Sequence, residues 1–114
     1  MPTQRANGIE LYYETAGQGE PLLLLHGLGS RSDDWQLQMP AFAARYRVVA
    51  ADMRGHGRSA KPRGPTSVPM MAADVLGLLD ALGIDAAHIV GLSMGGMIAF
   101  QMAVDRPERV RSLV

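Results

Sequence analysis

A serine flanked by glycines is the feature of this sequence that most directly suggests chemistry. The segment Gly91–Gly96 reads Gly-Leu-Ser-Met-Gly-Gly and lies between a short apolar run and a segment with helical character. A serine in a sharp strand-to-helix turn presents its hydroxyl above the sheet edge, and such a turn needs small residues on either side. The first amides of the next helix then face the space above Ser93, as acyl transfer to a nucleophile requires. The same pattern also occurs in turns that serve packing alone. The other motifs must therefore decide whether Ser93 is a nucleophile or part of a packing turn.

The composition excludes several classes of function. At 114 residues the chain fits one domain at most, and its formal net charge of zero offers no broad basic surface for nucleic acid. The absence of cysteine rules out disulfides and thiolate metal sites and fits a reducing compartment, so we expect a cytoplasmic location. The N-terminus lacks the apolar core of a signal peptide. The uncharged segment 86–104 contains polar residues and glycines, and we interpret it as strand, turn and helix rather than as a membrane span.

The elements that must position Ser93 are predicted from apolar patterns and turn signals. Asn7-Gly8 is a strong hairpin signal, so the chain is expected to open with an antiparallel pair. The segments with the character of strands are 9–15, 22–25, 47–51, 88–90 and 110–114. The segments with helical character are 35–44, 68–82 and 97–105. From the strand at 22–25 onward, strands alternate with helices along the chain. This alternation predicts a mostly parallel sheet covered by helices on both faces.

Residue types at the segment ends refine this prediction. Asp33 or Asp34 is expected to cap the first helix, and Ser67 the second, which has Pro69 in its first turn. Gly83 stands where the second helix should end. The last strand has an apolar end and no helix to cover it, so we expect an exposed sheet edge and interpret the chain as the front part of a larger domain.

Taken together, three motifs resemble those of a known family. His26-Gly27-Leu28-Gly29, then Asp52 to Ser59, and finally Gly91 to Gly96 occur in the order found in the α/β-hydrolase fold. Within that fold the chain is similar to bacterial esterases and lactonases of the 3-oxoadipate enol-lactonase kind. The resemblance implies that residues 1–114 are the N-terminal part of a single α/β-hydrolase domain, without its cap and its C-terminal strands.

The resemblance also implies roles for individual residues. Ser93 matches the nucleophile, and the backbone amides of Leu28 and Met94 match the two donors of the oxyanion hole. The implied substrate is a small-molecule ester or lactone, and no metal, cofactor, nucleic acid or membrane is implied. A serine at this position, rather than an aspartate, argues against the epoxide hydrolases and haloalkane dehalogenases of the same fold. The oligomeric state is not indicated.

The triad acid and histidine of the family follow the serine in the chain, so we expect both downstream of this sequence. Among the local histidines, His88 lies on the same strand, on the order of 16 Å before Ser93, which is out of reach. His26 and His56 lie at the right end of the sheet, but the resemblance implies that His26 supports the oxyanion loop and that His56 belongs to a structural loop. Asp52 is interpreted as a loop-bracing residue. Without a base, we expect the chain to hydrolyse p-nitrophenyl acetate barely above buffer.

Two other functions remain open at this point. The loop Gly27–Ser32, with Asp52 at the end of the next strand, is close to a dinucleotide-binding fingerprint and would suit an NAD(P)-dependent oxidoreductase. Its third glycine is replaced by Ser32, however. The chain could also be a non-catalytic binder of small molecules on the hydrolase fold.

A basic cluster in the loop after the predicted strand at 47–51 is interpreted as solvated; its members are Arg54, Arg58, Lys61 and Arg63.

Overall fold

The chain is built around one sheet, which a computed structural model describes together with its helices for residues 2–114. Its strands are β1 (Thr3–Ala6), β2 (Ile9–Ala16), β3 (Glu20–Leu25), β4 (Tyr46–Ala51), β5 (Ala87–Gly91) and β6 (Val110–Leu113). Its helices are α1 (Met39–Ala43), α2 (Val68–Ala81) and α3 (Met94–Asp105), with 3₁₀ turns at Ser32–Trp35 and Pro107–Arg109. None of the helices within residues 2–114 is both long enough and apolar enough to cross a membrane.

The order of the strands confirms the predicted sheet. Across residues 2–114 the order is β1-β2-β4-β3-β5-β6, in which β1 and β2 pair antiparallel and β2 pairs antiparallel with β4. The other neighbours are parallel. Asn7 and Gly8 form the predicted hairpin turn, with φ of 50° and 82°. β6 lies at one edge of the sheet, as expected for the last strand.

Each face of the sheet is covered by a different set of helices. On one face, α2 and α3 bury the larger core against alternate residues of the central strands, among them Leu23 and Leu25. On the other face, Leu22 and Leu24 belong to a smaller cluster that α1 covers through Phe42. Because successive side chains of a strand point to opposite faces, a strand that is covered on both sides must be apolar at every position. This explains the four consecutive leucines of β3.

The second predicted helix is confirmed at both ends. The hydroxyl of Ser67 accepts a hydrogen bond from the Met70 amide at 3.2 Å, so it caps α2. Gly83 follows the helix with φ of 70°, a conformation in which a side chain would be strained. The helical spacing of its apolar residues predicts one buried face, formed by Met71, Val75, Leu78, Leu79 and Leu82. The first four lie in the larger core, and Leu82 is partly buried and packs against it.

The prediction of a helix over 35–44 is confirmed only for Met39–Ala43 and is wrong for the residues before it. The segment is divided into the 3₁₀ turn at Ser32–Trp35 and the short α1, and both Asp33 and Asp34 lie inside the turn rather than at a cap. Pro40 has no amide and cannot bond to the carbonyl one turn earlier, so a helix cannot continue through it from Trp35. Proline is accepted in the first turn of a helix, which is where Pro40 lies in α1.

α3 begins earlier than predicted, at Met94 instead of Met97. Gly95 and Gly96 are poor helix formers, and this is why the apolar pattern suggested a later start. Tertiary packing overrides that propensity, because the first turn of α3 lies directly against the end of β3.

The interpretation of the basic cluster as solvated is wrong for Arg54. Its guanidinium forms two hydrogen bonds with the carboxylate of Asp74 on α2, at 2.6 and 2.8 Å. Asn7 donates to the same carboxylate at 2.9 Å, and only 1% of the Asp74 side chain is exposed. The hydrogen bonds to Asp74 raise the pKa of Arg54 further above its usual value. The network joins the β1–β2 turn, the loop after β4 and α2.

We expect Arg54→Ala to lower the free energy of unfolding by about 3–5 kcal/mol, because the buried carboxylate of Asp74 would lose its cationic partner. Urea unfolding followed by circular dichroism measures the change. The matched control is Arg63→Ala, which removes an exposed cation from the same loop and should change this free energy by less than about 0.5 kcal/mol. Equal effects of the two substitutions would contradict the assignment of Arg54 to a buried ion pair.

Candidate active site

Ser93 lies at a strained bend between β5 and α3. Its φ of 55° and ψ of −111° fall in a region that residues with a side chain rarely adopt. The bend is held by backbone hydrogen bonds on both sides. The Leu92 amide donates to the carbonyl of Leu25 at 3.0 Å, and the Met97 amide donates to the carbonyl of Ser93 at 3.1 Å. Ser93 is exposed, while Met94 directly after it is buried.

The glycines around Ser93 are needed because backbone segments approach each other closely. A Cβ atom at Gly91 would lie 2.5 Å from the carbonyl oxygen of Gly95. A Cβ atom at Gly95 would lie 2.6 Å from the carbonyl carbon of Leu25 and 2.8 Å from the carbonyl oxygen of His26. No side chain fits at either position without a backbone shift. The predicted reason for the two glycines, collision at a sharp turn, agrees with this geometry.

The loop after β3 packs against the same bend. A Cβ atom at Gly27 would lie 3.4 Å from the carbonyl oxygen of Leu92 and 3.6 Å from Cβ of Ser93. Leu28 follows in a turn that is closed by the Ser30 amide, and 79% of Leu28 is exposed. Within residues 2–114, neither the Leu28 amide nor that of Met94 donates a hydrogen bond to the chain itself.

His26 is fully buried beneath this loop and is held by both ring nitrogens. Nε2 accepts a hydrogen bond from the Met53 amide at 2.9 Å, and Nδ1 lies 2.8 Å from the carbonyl oxygen of Gly27. Since Nε2 must accept, the proton of the neutral ring lies on Nδ1 and is donated to Gly27. Burial lowers the pKa of His26, and the neighbouring ring of His56, 5.1 Å away, acts in the same direction. Both nitrogens are occupied, so His26 braces the Gly27 loop and has no free lone pair for Ser93.

Asp52 joins two loops through its buried carboxylate. Oδ1 accepts a hydrogen bond from the Ser32 amide at 2.7 Å, and Oδ2 accepts one from the Arg58 amide at 2.8 Å. Its carbonyl oxygen also accepts a hydrogen bond from the hydroxyl of Ser59. Because Asp52 is fully buried and bonded through both oxygens, it offers nothing to the ribose of a dinucleotide. The geometry therefore gives no support to a dinucleotide site in the Gly27–Ser32 loop.

The remaining histidines make their hydrogen bonds elsewhere. Nδ1 of His56 lies 2.9 Å from the carbonyl oxygen of Arg54, while His88 lies at the opposite end of the sheet beside Glu20, the first residue of β3. Within residues 2–114, no histidine forms a hydrogen bond with the hydroxyl of Ser93. The described residues also contain no cluster of three His, Cys, Asp or Glu side chains that could hold a metal ion.

Sequence reasoning did not single out every polar residue that the fold brings together. Asp74, on the buried side of α2, had no motif to mark it, and neither did Glu20 and Ser112, which lie beside His88. These residues are distant along the chain, so only the strand order and register show that they are neighbours. A cavity of about 510 Å³ lies between β2 and the first 3₁₀ turn, and Ser93 does not line it.

This chain is similar to a known protein family and to individual hydrolases. The sequence model of a family described as alpha/beta hydrolase fold matches residues 20–114. A protein of Azorhizobium caulinodans named as carbamate hydrolase RutD is 43% identical over 113 residues, which cover 99% of this chain and 43% of that protein. A soluble epoxide hydrolase of a Corynebacterium species is 40% identical over 94% of this chain and 37% of its own length.

A solved structure shows the same fold. The enol-lactonase from Burkholderia xenovorans superposes with a TM-score of 0.95 at 35% sequence identity, over 98% of this chain and 45% of the enzyme. The expected similarity to enol-lactonases is therefore confirmed. The chain spans less than half the length of each of these relatives.

We expect Gly95→Ala to lower the free energy of unfolding by about 3 kcal/mol, because the added methyl group would collide with the carbonyl groups of Leu25 and His26. Urea unfolding measures the effect. Gly96→Ala is the matched control, since its methyl group would meet nothing closer than the carbonyl oxygen of Gly91 at 3.4 Å. That variant should remain within about 1 kcal/mol of the parent chain, because alanine also favours the helix. A smaller effect of Gly95→Ala than of Gly96→Ala would contradict the packing at the bend.

The lowered pKa of His26 predicts a pH dependence of stability. Below about pH 6.5 the unfolded chain binds a proton at this histidine more readily than the folded chain does. The folded state is therefore favoured above that pH, and this contribution is lost as the pH falls. We expect the free energy of unfolding to decrease between pH 7.5 and 5.5 by less in His26→Gln than in the parent chain. Urea titrations at the two pH values test this, and equal decreases would show that His26 does not contribute.

Proposed function

The chain belongs to the α/β-hydrolase fold family, and we propose that it is the front part of a serine hydrolase in which Ser93 is the nucleophile. The observation that carries this proposal is the strained, exposed bend at Ser93, held between close-packed glycines at the start of α3. Backbone strain of this kind is retained where the surrounding structure enforces it, and it is concentrated at functional sites. The names of the relatives, a carbamate hydrolase, an epoxide hydrolase and an enol-lactonase, support hydrolysis as the reaction class.

In the proposed reaction, the hydroxyl oxygen of Ser93 attacks the carbonyl carbon of an ester or lactone. The negative charge that develops on the carbonyl oxygen would be held by the backbone amides of Leu28 and Met94. Two features support this role: neither amide donates within the described residues, and that of Met94 belongs to the first turn of α3, the positive end of its dipole. The alcohol then leaves, and water releases the acyl group from Ser93.

The proton of Ser93 needs an acceptor, and no histidine of residues 2–114 forms a hydrogen bond with its hydroxyl. We therefore propose that the histidine and its acid partner lie in the remainder of a longer domain, of which residues 1–114 are the N-terminal part. The length of the relatives, each more than twice the matched segment, supports this arrangement. In the order of the family, the nucleophile precedes both partners.

The hydroxyl at position 93 favours carbonyl substrates over epoxides, although an epoxide hydrolase is among the relatives. An acyl group transferred to a serine forms an ordinary ester, which water can cleave. The epoxide hydrolases of this fold use a carboxylate nucleophile, whereas this chain has Ser93 at that position. The substrate class that we propose is a small ester or lactone.

The test is a chimera in which residues 1–114 replace the matching segment of the similar enol-lactonase, so that the downstream partners are present. We expect it to hydrolyse p-nitrophenyl acetate, and Ser93→Ala to reduce kcat/KM by about 10³-fold or more. Thr66→Ala, which removes an exposed hydroxyl from the loop before α2, is the matched control and should leave kcat/KM unchanged. Retention of kcat/KM within tenfold in Ser93→Ala would exclude Ser93 as the nucleophile.

A further inference from the structure

Gly27, in the loop after β3, is a glycine that the backbone does not require. Its φ is not positive, so it lies outside the left-handed region in which side chains are strained. Gly29 in the same loop differs, because its φ of 78° favours glycine, and Gly95 differs because a side chain there would collide with backbone atoms. A glycine in an unstrained conformation is less stable than alanine, since it has more freedom in the unfolded chain. The glycine at position 27 therefore needs another explanation.

The space beside Gly27 leads to Ser93. Gly27 is buried, yet apart from its chain neighbours a Cβ atom there would meet only two atoms of residues 2–114 within 4 Å. These are the carbonyl oxygen of Leu92 at 3.4 Å and Cβ of Ser93 at 3.6 Å, which are ordinary van der Waals distances. A methyl group would therefore fit without a collision and lie directly beside the side chain of Ser93. We call the space between Gly27, Leu92 and Ser93 the Gly27 recess.

Hydrogen bonds hold both walls of the Gly27 recess. The carbonyl oxygen of Gly27 accepts hydrogen bonds from the Ser30 amide at 3.1 Å and from Nδ1 of His26 at 2.8 Å. On the other side, the Leu92 amide donates to the carbonyl of Leu25 at 3.0 Å. Networks of satisfied hydrogen bonds make the backbone rigid, so these walls do not move apart to admit a larger group. The size of a group that enters the recess is therefore limited.

In the proposed reaction, the acyl group is the part of the substrate that needs room beside Ser93, so the inference rests on the proposed function. The hydroxyl oxygen of Ser93 bonds to the carbonyl carbon, which brings the α-carbon of the acyl group close to Cβ of Ser93. The alcohol leaves in the first half of the reaction, whereas the acyl group stays on Ser93 until water releases it. Substituents on the α-carbon must therefore find space next to Ser93 in both halves.

From this geometry we infer that Gly27 is a specificity-determining residue, whose recess accommodates a substituent on the α-carbon of the acyl group. The esters and lactones that the site accepts then include those with a branched α-carbon, such as an isobutyryl group. An alanine at position 27 would place its methyl group where the substituent of the substrate belongs. An acetyl group has no such substituent and does not use the recess.

The test uses the chimera described above, because it contains the downstream partners. The kcat/KM values are measured for p-nitrophenyl isobutyrate and p-nitrophenyl acetate, which share a leaving group and differ only in the methyl groups on the α-carbon. We expect Gly27→Ala to lower the ratio of isobutyrate to acetate kcat/KM by about tenfold or more, the effect of one methylene group in a tight apolar site. The Tm of this variant should be no lower than that of the parent, because alanine is favoured at an unstrained position.

Two control variants separate a steric effect from a general disturbance of the loop. Gly29→Ala strains the same loop, but its Cβ atom would lie within 4 Å of no atom of residues 2–114 except its chain neighbours. It should lower kcat/KM for both esters by the same factor and leave their ratio unchanged. Thr66→Ala, in the exposed loop before α2, should leave both kcat/KM values unchanged.

The possible failures have different signatures. If hydrolysis depends on Ser93 and the ratio is unchanged in Gly27→Ala, the inference is overturned and the proposed function stands. A lower Tm with equal losses for both esters would also overturn it, because Gly27 would then serve packing alone. A loss confined to isopropyl acetate, which is branched in its alcohol, would assign the recess to the alcohol instead of the acyl group. Hydrolysis that persists in Ser93→Ala would refute the proposed function and the inference together.

Discussion

The structure depends on the close approach of the first turn of α3 to the end of β3. Gly95 lies so near the carbonyl groups of Leu25 and His26 that even one methyl group would collide with them. To begin a helix at this distance, the chain must bend sharply after β5, and Ser93 takes up the bend with a positive φ. The loop after β3 also packs against this bend, with Gly27 beside Leu92 and Ser93. The exposed hydroxyl is thus a consequence of how helix and sheet pack.

Buried polar side chains hold the loops around this bend. Asp52 joins two loops through backbone amides, and His26 connects the Gly27 loop with the start of the loop after β4. Arg54 and Asp74 attach that same loop to α2. Loops have few apolar contacts of their own, so hydrogen bonds to groups withdrawn from water fix their positions. These bonds hold the Gly27 loop, which packs against the bend at Ser93.

Ser93 and Ser112 differ in what surrounds them. Ser93 has a strained, exposed position, but no histidine of residues 2–114 forms a hydrogen bond with its hydroxyl. Ser112 has a histidine beside it, but it lacks the strained bend. An efficient hydrolase needs both a base and stabilisation of the oxyanion. Because Ser93 has no histidine bonded to it within residues 2–114, the proposal places full catalysis in a longer domain.

The sequence by itself determined the strand pattern, the hairpin, the ends of α2 and the bend at Ser93, because local steric needs and apolar periodicity decide these features. It could not place the break near Pro40 or the early start of α3, where proline chemistry and tertiary packing override the apolar pattern. Only the tertiary structure decided the partners of Arg54, the buried bonds of Asp52 and the meeting of Ser112 with His88 and Glu20. Those contacts join residues far apart in the chain, and strand order and register create them.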